Sequence, residues 1–167
     1  MNSAGIFGPK LSGKTTLAKA LSREYFLKVK LRSLVLDPNQ DNWGTQSIVF
    51  TNEDEFWKVV WQSKYCLVIV DEAAATIRRE KDLITVFTRL RHLHHKLIVI
   101  GHSGTDLLPV MRQQLDELYL FRQPESAAKI WAETMTQKGL LESGNLQQFE
   151  FLHTRLYGQP RKLKLAA

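Results

Sequence analysis

Residues 8–15 read Gly8-Pro9-Lys10-Leu11-Ser12-Gly13-Lys14-Thr15 and match the pattern G-x-x-x-x-G-K-[ST] at every fixed position. The short stretch Ser3-Ala4-Gly5-Ile6-Phe7 precedes them, and Thr16 to Leu27 follows with Leu17, Leu21 and Tyr25 at helical spacing. A strand that turns through such a loop into a helix is the setting in which this pattern binds phosphate. The glycines let the loop fold back so that successive backbone N–H groups face a polyphosphate. Lys14 then reaches the β- and γ-phosphates, the Thr15 hydroxyl is placed to ligate Mg²⁺, and Thr16 lies in a helix whose dipole turns its positive end to the phosphates. Gly8 through Thr16 are therefore the expected nucleotide contacts.

A second motif follows. Tyr65-Cys66-Leu67-Val68-Ile69-Val70-Asp71-Glu72 is an apolar run closing on two carboxylates. Apolar on both faces, it reads as a central parallel strand covered by helices on each side. Asp71 at its end is expected to hold Mg²⁺ through water, and Glu72 to act as general base on the attacking water. Leu31 to Leu36 is another strand, and Asp37 after it is expected to face the ligand edge. Residues 39 to 46 read as a polar turn, Ser47 to Phe50 as a strand, and Asn52 as the cap of a helix with Glu53, Asp54 and Glu55 in its first turn. A helix is predicted from Arg79 to His94, with Arg89, Arg91 and His92 on its polar face. Lys96 to Ile100 is a buried strand, after which His102 or Ser103 could sense the γ-phosphate. A short helix from Thr105 or Asp106 to Gln114, a strand Glu117 to Phe121, a helix opened by Pro124 and Glu125, and a C-terminal β-hairpin complete the chain. Strands alternating with helices imply a three-layer α/β protein, its central sheet mainly parallel, in one domain spanning 1–167.

At 167 residues, 44% hydrophobic and 24% charged, the chain has the composition of a globular domain rather than a disordered one. Its longest apolar run, Cys66 to Val70, is too short to span a bilayer, and no signal-like segment precedes the phosphate loop, so an intracellular location is expected. Cys66, the single cysteine, has no internal disulfide partner and reads as a small core residue. The net charge of +6 makes an anionic partner plausible, nucleic acid being the commonest. His92, His94 and His95 match no zinc spacing.

The chain carries no Asn-Lys-x-Asp guanine reader, and an acid placed like Glu72 to activate water favours ATP hydrolysis over transfer to an acceptor. A nucleoside or nucleotide kinase and a nucleotide-gated adaptor or loader with slow ATPase activity remain the alternatives. The phosphate loop, Leu36-Asp37-Pro38, Val70-Asp71-Glu72, Arg89-Leu90-Arg91-His92 leading into Leu97-Ile98-Val99-Ile100, and Tyr119-Leu120-Phe121-Arg122 together resemble the FtsK and HerA superfamily of DNA-pumping ATPases. Within it, the chain is most similar to the compact genome-packaging ATPases of tailless viruses and phages with an internal membrane. That resemblance implies a RecA-like P-loop core of the ASCE type. It implies a homo-oligomeric ring, commonly a hexamer, with ATP between subunits and double-stranded DNA gripped through its phosphates, independently of sequence. It also implies a capsid or membrane-protein partner at a portal vertex, in the host cytoplasm or on the virion. The family needs an arginine reaching the neighbour's ATP, for which Arg89 and Arg91 are the nearest matches and Arg112 and Arg122 the others. Arg78 and Arg79 are the expected DNA-phosphate contacts. One departure is visible: the family usually carries Gln after the sensor strand, where this chain has Gly101-His102-Ser103.

Overall fold

In the computed structural model, which describes residues 3–71 and 80–166, the run before the phosphate loop is strand β1 (Ser3–Phe7), buried along its length. The loop leads into α1 (Lys14–Val29), followed by β2 (Ser33–Leu36), β3 (Ser47–Phe50), α2 (Glu53–Gln62), β4 (Leu67–Val70), α3 (Glu80–His92) and β5 (Lys96–Gly101). Then come a 3₁₀ turn (Gly104–Asp106), α4 (Pro109–Arg112), β6 (Glu117–Phe121), α5 (Glu125–Met135), a second 3₁₀ segment (Lys138–Asn145), β7 (Glu150–Arg155) and β8 (Arg161–Lys164). The strands form a sheet in the order β3-β2-β4-β5-β1-β6-β7-β8. The first six are mutually parallel, and β7 and β8 add on antiparallel. This is the α/β architecture with a mainly parallel sheet and a C-terminal hairpin that the alternating pattern predicted.

Each face of the sheet is covered by its own layer, which explains why β4 and β5 are apolar without alternation. On one face Leu17 and Ala18 of α1, with Trp43, pack on Ile6, Ile69, Ile98 and Ile100. On the other, Phe56 and Val60 of α2, Phe87 and Leu90 of α3, Met111 of α4 and Trp131 of α5 cover Phe7, Val70 and Val99. Side chains of this size each contribute about 1.5–3 kcal/mol when fully buried.

The structure departs from two local expectations. The helix expected up to Gln114 is broken, because Leu108 precedes Pro109 and is held extended at φ −61°, ψ 149°. Only the 3₁₀ turn and the four residues of α4 remain helical. Asp37 does not face a ligand: it is fully buried and accepts hydrogen bonds from the Asn39 N–H (2.8 Å), the Asp41 N–H (3.0 Å) and Trp43 Nε1 (2.9 Å). The segment read as a polar turn thus plugs its one tryptophan into the core. Among the histidines, His94 stacks on Tyr65, while His95 is buried and joins two elements. Its Nδ1 accepts from the Cys66 N–H at 3.0 Å, which leaves Nε2 to donate to the Val60 carbonyl at 3.0 Å.

Candidate nucleotide-binding site

Strand β1 sits between β5 and β6, and β4 lies one strand further, so the carboxyl ends of β1, β4 and β5 meet at one edge of the sheet. The strand order reverses there, with crossovers leaving to both sides, the kind of position where open parallel sheets form ligand crevices. Gly8 continues β1, its N–H donating to the Gly101 carbonyl at 3.3 Å. A side chain there would collide with Phe121, its Cβ falling 2.5 Å from the Phe121 Cβ, so the loop can lie this low only as glycine. Ser12 closes the turn through a 2.9 Å bond to the Pro9 carbonyl, and Gly13 takes φ +104°, a left-handed conformation that favours glycine.

The start of α1 differs in kind from the start of α2. At α2, Asn52 accepts the Glu55 N–H at 3.0 Å, and Glu53, Asp54 and Glu55 fill the first turn. At α1 the capping residue is Gly13, with no side-chain cap and no acid in the first turn. Its N–H donors and positive dipole end are thus left to an anion. Lys14 is folded over the loop, its Nζ donating to the Pro9 carbonyl at 2.7 Å. The Thr15 hydroxyl lies 3.5 Å from Asp71 Oδ2, and Asp71 is 7% exposed. A hydroxyl beside a carboxylate at the mouth of such a loop is a hard oxygen pair of the kind Mg²⁺ takes together with phosphate oxygens and water. These residues fit a nucleotide–Mg²⁺ group. A cleft of about 380 Å³ runs from Leu11 and Thr16 to Gln148 and Phe149.

The remaining candidates are distributed around this edge and beyond it. Glu72, Arg78 and Arg79 lie outside the described residues. His102 is exposed beyond β5, and its N–H and that of Ser103 are held by Asp106 Oδ2 at 2.7 and 2.9 Å. Gln123 was missed by sequence reasoning. It is 2% exposed just past the end of β6, yet its Nε2 donates to the His102 carbonyl at 3.1 Å, so a glutamine reaches the sensor edge from β6, across β1 from β5. Beside it, a cleft of about 720 Å³ is lined by Pro9, Arg122, Gln123, Lys129 and Asn145. The signal in the sequence was a polar residue two positions past the end of a buried strand.

Arg89 and Arg91 sit in the last turn of α3, next to the start of β4, where the Leu93 carbonyl accepts the Tyr65 N–H. That is the amino edge of the sheet, opposite the phosphate loop of the same chain. The Arg89 guanidinium lies 4.5 Å from the ring centre of Trp61, and Arg91 Nη2 donates to Gln114 Oε1 at 3.0 Å. Arg112 is engaged within the fold, donating to the Gly104 and Leu107 carbonyls at 2.8 and 2.7 Å. Among the four arginines, Arg122 alone lines the cleft beside the loop.

No family model and no curated protein sequence matches the chain. Solved structures do. The genome packaging NTPase B204 from Sulfolobus turreted icosahedral virus 2, in complex with AMPPCP, aligns with a TM-score of 0.83 at 20% identity, over 99% of this chain and 98% of that one. The DNA-packaging ATPase B204 from Sulfolobus turreted icosahedral virus aligns with a TM-score of 0.80 at 21% identity over the same shares. VirB4 of Thermoanaerobacter pseudethanolicus aligns with a TM-score of 0.77 at 11% identity, over 99% of this chain and 89% of VirB4. The chain therefore has the P-loop NTPase fold that the motif resemblance implied, along its whole length.

Proposed function

We propose that this chain is an ATP-hydrolysing motor that translocates double-stranded DNA and packages a genome into a preformed capsid, working as a homo-oligomeric ring, a hexamer. The observation that carries this reading is the phosphate loop with Thr15 and Asp71 3.5 Å apart at its mouth, in a fold shared end to end with a viral genome-packaging NTPase. Lys14 would hold the β- and γ-phosphates, and Glu72 would take the proton of the attacking water. Mg²⁺, held by Thr15 and Asp71, would offset phosphate charge as it shifts toward the leaving oxygen. His102 and Gln123, joined at 3.1 Å through the His102 carbonyl, would register the γ-phosphate. Arg89 or Arg91, facing away from their own loop, would serve the neighbour's ATP, neutralising charge in the transition state.

The net charge of +6 supports an anionic partner, and a motor that moves over any sequence grips phosphates rather than bases. Arg78 and Arg79 are the proposed DNA contacts, and a capsid or membrane protein at a portal vertex the proposed docking partner, in the host cytoplasm and on the virion. Among the described residues, no helix is long and apolar enough to cross a membrane. The test is ATP turnover with and without duplex DNA. Stimulation by DNA of any sequence, weakening as salt rises, is expected. Phosphate transfer to an added nucleoside with no response to DNA would establish a kinase instead, and slow turnover indifferent to DNA an adaptor.

A further inference from the structure

We infer that Gln148 and Phe149 form the nucleobase subsite of the phosphate loop and select adenine, an assignment that rests on the ATPase reading. Lys14 and Thr15 serve the β- and γ-phosphates, so the α-phosphate falls beside Thr16 and the ribose and base leave the loop past it. The cleft of about 380 Å³ opens in that direction and ends on Gln148 and Phe149. These two residues lie more than 130 positions from the loop in sequence, yet Gln148 is tied to it, Nε2 donating to the Leu11 carbonyl at 3.1 Å. Because a carbonyl can only accept, this bond fixes which way the amide faces and leaves Oε1 as an acceptor. An acceptor there complements the exocyclic amino group of adenine and opposes the carbonyl that guanine and hypoxanthine carry at the same position.

Phe149 supplies the stacking surface. It holds φ +66°, a conformation rare for an aromatic residue, and remains 42% exposed. Its ring borders the loop itself: a Cβ added at Gly13 would lie 3.2 Å from Phe149 Cδ1. The backbone is locked there, its carbonyl accepting the Leu165 N–H at 2.9 Å, so the ring is offered to the cleft by the hairpin rather than by a free loop.

Equilibrium binding of ATP and of inosine triphosphate to the full chain tests this without reference to turnover. The wild-type chain is expected to bind ATP about tenfold more tightly, the worth of one hydrogen bond. Gln148→Ala should bring the two within about twofold. Phe149→Ala should weaken both about tenfold, with Phe149→Tyr restoring them. Phe149→Trp should show emission quenched by ATP and unchanged by tripolyphosphate. An unaltered ATP preference in Gln148→Ala, or wild-type affinity in Phe149→Ala, overturns the assignment while leaving the loop in place. If Phe149→Ala does not fold, a Phe149→Trp emission indifferent to ATP overturns it equally. Wild-type ATP affinity in Lys14→Ala, or no binding by the wild-type chain, overturns the ATPase reading itself and this subsite with it.

Discussion

Asp37 and Asp71 end neighbouring strands, β2 and β4, and both are buried, but their surroundings give them different work. Asp37 accepts three N–H bonds from its own turn, one from the indole of Trp43. Asp71 instead lies within reach of the Thr15 hydroxyl at the phosphate loop. Removing Asp37 strands the buried Trp43 indole N–H and frees two part-buried backbone N–H groups, so Asp37→Ala should cost about 1–3 kcal/mol in denaturant unfolding while the surviving folded protein binds ATP normally. Lys14→Ala should do the reverse, abolishing nucleotide binding with an unfolding midpoint close to wild type, since its bond to the Pro9 carbonyl is solvent-exposed and adds little to stability. Glu72→Gln should still bind ATP but lose roughly 10²-fold or more of its hydrolysis. From sequence, both aspartates were expected at the ligand edge. What separated them was Trp43, a lone aromatic in a polar run whose partner is fixed only when the chain folds back.

At the scale of elements, what could be read directly was what is local. The loop between β1 and α1, the Asn52 cap of α2 and the two-face burial of β4 and β5 follow from neighbours in sequence. The break at Leu108-Pro109 was also local, since a proline holds its predecessor extended. The crossing of Gln123 to His102 and the tether of Gln148 to Leu11 were not legible, because both join segments that only the sheet order brings together. Two such long-range joints should show in the pH dependence of stability. Burial lowers the pKa of His95 below its ordinary 6.5, because the charged ring would lose its hydration there. Its stabilising effect is complete above pH 6.5 and is lost as pH falls from there through the lower folded pKa. In the strand pair β6–β7, burial works against ionisation of Glu117. Hydrogen bonds from His153 and Tyr119 and the charges of His153 and Arg155 nevertheless hold its pKa down to about 2, from 4.5. That contribution is present above pH 4.5 and disappears as pH falls toward 2. Denaturant unfolding across pH should show both losses, with His95→Gln removing the upper and Glu117→Gln the lower; unchanged profiles in these variants would contradict the assignment.

At the scale of the whole molecule, the phosphate loop and the arginines of α3 occupy opposite edges of the sheet. A site completed by Arg89 or Arg91 therefore needs a second copy of the chain. Mixing Arg89→Ala or Arg91→Ala with Glu72→Gln, each inactive alone, should restore part of the ATPase activity, because some interfaces would then join an intact arginine to an intact Glu72. Mixtures that assemble and stay inactive would exclude these arginines. Movement along DNA is tested most directly by the displacement of a triplex-forming strand from a duplex. With ATP and Mg²⁺ the wild-type protein should release the third strand irrespective of the flanking sequence, and neither AMPPCP nor Lys14→Ala should support release. Retention of the third strand under conditions of full DNA-stimulated ATP turnover would contradict the account.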